Sequence, residues 1–267
     1  MQFRTASLLL IFLCGVVAGV RGGDTTNAAA LKIIDDSQAA YAALSSYSDT
    51  GKVAGEFHGK TDMTTFTTRL ARPNLYRIEW EGGLIAGLPV TSPPAVWSAG
   101  DGDFIRFGGG MGPAAQQMTN LEMALAAGGG ISSGATAMIP LTFFNSFLGG
   151  NIKRLVSPDG TIFQLPDAQV GAVDCYVVTG AWQNKGRTNM TTLWVGKQDH
   201  LIRQFRRVSE SPSITHIPAD LDAAGREGFQ RAMRQMQTRV STETHENITV
   251  NGKFQKSDFL PEDALSK

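Results

Sequence analysis

The chain has 267 residues, with 24 basic and 24 acidic side chains, 4 histidines and 2 cysteines. That balance gives no electrostatic reason to expect nucleic acid or an anionic membrane surface as a partner. With 42% hydrophobic residues the chain can build a core of its own, and two cysteines exclude a disulfide scaffold.

Residues 1–22 read as an export signal. Arg4 supplies a basic start, Ala6 to Val20 an uncharged apolar run, and Val20-Arg21-Gly22 a small-residue cleavage site. The run is short for a membrane span, and Leu13 before Cys14 is too bulky for a lipoprotein signal. Cleavage removes Arg4 and Arg21 from the basic side and no acid, leaving a net charge of about −2. Cys175 then stands alone, so no internal disulfide is possible. Residues 23–267 read as one exported domain, periplasmic where the organism has an outer membrane.

Asn27 to Leu44 is a helix candidate, with Leu31, Ile34, Tyr41 and Leu44 on one stripe and Thr25, Thr26 or Asn27 as cap. The period then changes to two. Ser46 to Phe57 reads as a strand broken by the turn signal Asp49-Thr50-Gly51. Thr64 to Arg72 alternates through Phe66, Thr68 and Leu70, and Leu75 to Glu81 places Tyr76, Ile78 and Trp80 on one face. Arg72-Pro73-Asn74 joins these two as a hairpin, and Ala95–Ser98 with Phe104–Phe107 form a second around Gly100-Asp101-Gly102-Asp103.

From Gly108 to Gly150 the one charged side chain is Glu122. Pro113 can open a helix carrying Met118, Leu121 and Leu125 on one face, ended by Gly128-Gly129-Gly130. A second helix from Pro140 gathers Phe143, Phe144, Phe147 and Leu148 on one side. Two apolar helices hinged on glycine can be a fixed core layer or a lid over an apolar cavity.

Strands resume with Ile152–Ser157 and Thr161–Leu165 around Pro158-Asp159-Gly160, then Val173–Trp182, Thr188–Val195 and Leu201–Val208. Residues 218–237 read as an amphipathic helix with Phe229, Met233 and Met236 inward. Arg239–Val250 is a last strand, and Phe259-Leu260-Pro261 a tail. The sum is mainly β, about ten antiparallel strands with helices, and a sheet of that size must curl, close or split into two layers. A curled sheet leaves a concave apolar face, for which the helices of residues 108–150 are the natural cover.

Catalytic chemistry is sparse. His58, His200, His216 and His245 are isolated, and a lone strand histidine reads as a surface residue. No metal-ligand spacing, nucleophile elbow or phosphate loop is present, which leaves no catalytic residue, metal or cofactor to nominate. Cys175, between Val173 and Val177, reads as a buried structural thiol. Arg203 and Arg207 share one strand face and Arg206 the other, as on a solvated strand. Asn189-Met190-Thr191 and Asn247-Ile248-Thr249 are glycosylation sequons by pattern.

The order of parts resembles a known group. Arg72-Pro73-Asn74-Leu75-Tyr76, the hairpin from Ser98 to Phe107, and the stretch Thr192-Leu-Trp-Val-Gly-Lys-Gln-Asp-His-Leu-Ile-Arg203 are similar to the periplasmic lipoprotein-localisation carrier superfamily (LolA/LolB-like), nearest a branch of periplasmic proteins of unknown function. The resemblance covers roughly Asn27 to Val208 and does not account for the helix of residues 218–237. It implies an unclosed antiparallel half-barrel around a hydrophobic cavity with helices as its lid. It also implies a carrier, not an enzyme, for an acyl chain, lipid or lipoprotein, working with a membrane-bound donor or acceptor protein. A sensor that recognises lipidated ligands and signals to a membrane partner is the alternative. Cavity and lid are then expected at Phe143, Phe144, Phe147, Leu148, Met118, Leu121, Trp80 and Ile78. Arg72 matches the arginine of the carriers' Arg-Pro pair that holds the lid.

Overall fold

The computed structural model describes residues 28–57, 60–82, 92–108, 115–146, 150–184, 186–210, 222–229 and 238–261. The expected signal segment, the helix caps at residues 25–27, Pro113, Phe147, Leu148, His58 and His216 lie outside them, as do all residues of the 218–237 helix except 222–229. Within that stretch residues 223–229 are helical and Phe229 is half-buried.

Helix α1 (Ala28–Ala43) buries Ile33, Ile34, Ser37 and Tyr41 at helical spacing. Strands β1 (Ser46–Phe57), β2 (Lys60–Ala71) and β3 (Leu75–Gly82) follow as a meander, with β4 (Ala95–Ser98), β5 (Asp103–Arg106) and β6 (Gln116–Met118) extending it to one edge. After the helices α2 (Leu121–Ile131), α3 (Met138–Phe143) and α4 (Ile152–Val156) the chain builds β7 (Ile162–Val170), β8 (Val173–Asn184), β9 (Arg187–Gly196) and β10 (Ile202–Glu210). The last strand, β11 (Thr238–Val250), joins the two halves. The result is one 11-stranded sheet in the order β6-β5-β4-β3-β2-β1-β11-β10-β9-β8-β7, with every described pairing antiparallel. Its edges β6 and β7 do not pair with each other, so the sheet is an open half-barrel. One face carries the core. Across it, Tyr76, Leu70 and Tyr47 lie side by side at one end, and Val53, Glu243, Phe205, Leu193 and Val178 form a row nearer the other. Helix α2 packs on β4 and β5, α1 on β7 and β8, and α4 on β8 and β9.

Several sequence expectations are corrected. Strand β1 is continuous, because the Asp49-Thr50-Gly51 signal is absorbed as a register shift against β11 rather than a turn. A Cβ on Gly51 would run into the Phe66 ring and the Thr244 carbonyl, so glycine there makes room rather than a bend. Residues 152–156 are the short helix α4, not a strand. The Asn151 side chain accepts from the Arg154 amide, and Ile152 and Val156, four apart, face inward. Helix α2 starts only at Leu121, where the Asn120 carboxamide caps the Met123 amide, so Met118 belongs to edge strand β6. It then runs through Gly128–Gly130 to Ile131. Gly128 is there for packing, since its Cβ would stand 2.9 Å from Val96 Cγ1 and 3.0 Å from Thr136 Oγ1. The bend between α2 and α3 falls at residues 132–137 instead. The tail is also built in. A 3-10 helix (Lys256–Phe259) with a Gln255/Asp258 capping box buries Phe259 completely and packs on β3.

Candidate functional site

The covered side of the sheet is the place where a ligand could be enclosed, and its expected lining residues divide into floor and cover. Trp80 and Ile78 alternate inward on β3 and are 1% and 0% exposed. Above them lie the helices: Phe143 on α3 is fully buried, while Phe144, Leu121 and Met118 are half-buried against the core. Phe144 sets its ring edge-on to Tyr76 at 6.1 Å and to Phe143 at 4.9 Å. The helical cover is therefore packed down on the floor. Two concavities among the described residues lie mainly on the outer face. One of about 450 Å³ is bordered by Thr65, Thr67, Glu79 and Glu81, and one of about 840 Å³ by the β7–β8 turn and Asn247.

Arg72 holds the cover at one end. From the β2–β3 turn, whose Arg72–Pro73 bond is cis, its Nη2 donates to the Phe143 carbonyl at 2.7 Å and to the Tyr41 carbonyl at 3.3 Å. Its Nε donates to the Leu44 carbonyl at 3.0 Å, and its guanidinium sits 4.7 Å over the Phe143 ring. One side chain thus satisfies carbonyls at the C-terminal ends of α1 and α3 together, where orphan acceptors and the helix dipole favour a cation. At the other end of the cover, Thr64 Oγ1 donates to Ser133 Oγ at 3.4 Å, tying the α2–α3 bend to β2. Between them, Ser146 Oγ donates to Glu122 at 2.8 Å, which gives the lone charge of that segment a partner.

The floor is less apolar than the sequence suggested. His245 is 3% exposed, not a surface residue. Its Nδ1 lies 2.6 Å from Asp49 Oδ2 and its Nε2 3.3 Å from Glu243 Oε1, while the Tyr47 hydroxyl donates to Asp49 Oδ2 at 2.8 Å. Burial alone would lower the His245 pKa, but hydrogen bonds and charge from Asp49 and Glu243 outweigh it and raise it to about 9. The ring is accordingly an imidazolium that donates from Nδ1 to Asp49 and lies within ion-pair distance of Glu243 through Nε2. Phe66 packs against it at 5.6 Å. Sequence reasoning missed this cluster, although alternation in β11 already puts residues 243 and 245 on one face.

The remaining candidates settle quickly. Cys175 is fully buried, and burial pushes its thiol pKa up. Asn189, 6% exposed and accepting from Ser209 Oγ at 2.9 Å, is closed to a glycosyltransferase, whereas Asn247 is exposed. Arg203 is drawn into an ion pair with Asp199. Among the described residues no group of three histidine, cysteine or acidic side chains could hold a metal ion, and no helix is long and apolar enough to cross a membrane.

An open antiparallel half-barrel with helices laid on its inner face is the class that this geometry defines. No family model and no curated protein matches the sequence. Among solved structures the chain is similar to a LolA superfamily protein from Nitrosomonas europaea, at 10% identity and a TM-score of 0.34, over 88% of this chain and 98% of that one. It is also similar to LprF from Mycobacterium bovis, at 11% identity and a TM-score of 0.43, over 85% and 95% of the two chains. MucB in the Pseudomonas aeruginosa MucA/MucB complex aligns at 9% identity and a TM-score of 0.43, over 88% of this chain and 62% of that one. TM-scores of this size leave function to be argued from the chain's own residues.

Proposed function

We propose that the protein is an exported, non-enzymatic carrier that encloses the acyl chain of a lipid or lipoprotein between the half-barrel floor and the α2–α3 cover. A membrane-bound donor or acceptor would load or unload it. The observation that carries this reading is the Arg72 clasp. A single side chain at an exposed turn bridges to α1 and α3, so the cover is held by a few polar contacts that can be broken and remade. Burial of an acyl chain on the apolar floor would supply about 0.8 kcal/mol per methylene, enough to offset the contacts given up when the cover moves.

A reversible lock tests the reading. Thr64→Cys with Ser133→Cys joins the α2–α3 bend to β2 at a place where the native hydroxyls already touch. In the oxidised protein a fluorescent fatty-acid probe should fail to bind, and reduction should restore binding. Equal affinity in both states would refute a moving cover.

A further inference from the structure

We infer that the inner face carries an anionic head-group subsite built on Arg207, so that the cargo is an acidic amphiphile rather than a neutral apolar chain. The inference rests on the carrier reading and deepens it. Residues directly opposite in neighbouring strands share a face. Phe205, Leu193 and Glu243 belong to the inner face, so Arg207, two residues on from Phe205, points to that face too. Thr191 of β9 stands opposite Arg207 on one side and Ser241 of β11 on the other.

Four observations converge there. Arg207 packs its guanidinium 5.1 Å over the Phe205 ring, but no oxygen of the described residues accepts a hydrogen bond from it. The side chain is exposed, yet enclosure by protein holds its pKa below the ordinary value, with Glu243 acting the other way. Glu243, the carboxylate that faces it, is shared with the His245 imidazolium, which leaves the arginine fork available for an incoming anion. Finally, Thr191 is fully buried and its hydroxyl has no partner among the described residues. A buried hydroxyl with no partner among the described residues is costly unless something polar meets it, whereas the exposed guanidinium on the neighbouring strand is solvated until an anion replaces water there. Arg239 adds a second guanidinium on this face, opposite Ser209.

The chemistry selected is an anionic oxygen group, carboxylate or phosphate, whose attached chain runs from Arg207 past Phe205 and Leu193 toward the apolar floor. Displacement of a fluorescent acyl probe from the mature chain by dodecanoate, dodecyl phosphate and dodecanol tests it, with inorganic phosphate as a further competitor. The two anions should bind at least about tenfold more tightly than the alcohol, the discrimination expected of charge-assisted hydrogen bonds. In Arg207→Gln that ratio should fall to about one, and Arg207→Lys should keep part of it. Thr191→Val, close in shape, should lower it by a smaller factor and serves as the reporter if Arg207→Gln does not fold. If all three alkyl ligands bind alike, or the anion preference survives Arg207→Gln, the subsite is refuted while the carrier reading stands. If no alkyl ligand binds, the carrier reading falls and the subsite with it. If inorganic phosphate displaces dodecyl phosphate, the site takes free anions and not lipid head groups, and the inference is overturned.

Discussion

Replacing His245 by glutamine should change how stability depends on pH more than any other single substitution in the floor. The imidazolium lies between Asp49 and Glu243, 1% exposed in its side chain, so solvent screens the interaction little. Its pKa is raised from 6.5 to about 9. At about 1.4 kcal/mol per pH unit that gap corresponds to about 3 kcal/mol of folding stability. Because the folded value lies above the unfolded one, the stabilisation is fully present below pH 6.5 and is lost as pH rises through about 9. Urea denaturation from pH 6 to 9.5, followed by tryptophan fluorescence, gives the unfolding free energy of both proteins at each pH. The wild type should lose about 3 kcal/mol relative to His245→Gln across that range, and the difference cancels every other titration the two share. Parallel profiles would refute the buried imidazolium.

Arg72→Leu should speed release of a bound fluorescent fatty acid several-fold in stopped-flow measurements while costing about 1–2 kcal/mol of stability, the scale of the hydrogen bonds it removes. Unchanged release would separate the clasp from any role in cargo exchange. Phe143→Ala should cost about 3–5 kcal/mol in urea denaturation because the side chain is fully buried. Phe144→Ala, half-buried, should cost clearly less and weaken acyl-probe affinity more. Cys175 should react with a bulky thiol reagent at neutral pH far more slowly in the folded protein than in urea, since the thiol is buried and its pKa raised.

What could be read from the sequence followed range of interaction. The β2–β3 and β4–β5 hairpins, the β7–β10 meander and α1 are local patterns of alternation, turn residues and helical stripes, and the folded chain keeps them with small shifts of boundary. Short α4 escaped because Ile152-Lys-Arg-Leu-Val156 is too brief for a period to declare itself, and its signal was the Asn151 cap. The glycines of α2 pointed to hinges because a glycine required by a neighbour, as Gly128 is by Val96 and Thr136, looks the same in sequence as one required by a bend. Asp49 and His245 are 196 residues apart and meet only through the β1–β11 register, so neither looked functional alone. The same holds for Arg207 and Thr191, which become neighbours only once β9 and β10 pair.

The strand order has a consequence for how the chain matures. Six strands from one half and four from the other run in simple succession, and the sheet becomes continuous only when β11 inserts between β1 and β10. In a chain that emerges from its N-terminus during synthesis, β1 therefore waits with one edge open until β11 has emerged. During that interval the open edge of a central strand is a site for wrong partners. Asp49 is on the waiting strand and His245 on the arriving one, so their ion pair forms only when the seam closes in the correct register. A slip by one residue would send His245 to the outer face and leave Asp49 buried without its counter-charge, a penalty that few competing pairings could survive. The buried pair thus ties the closing of the seam to one register of β11 against β1.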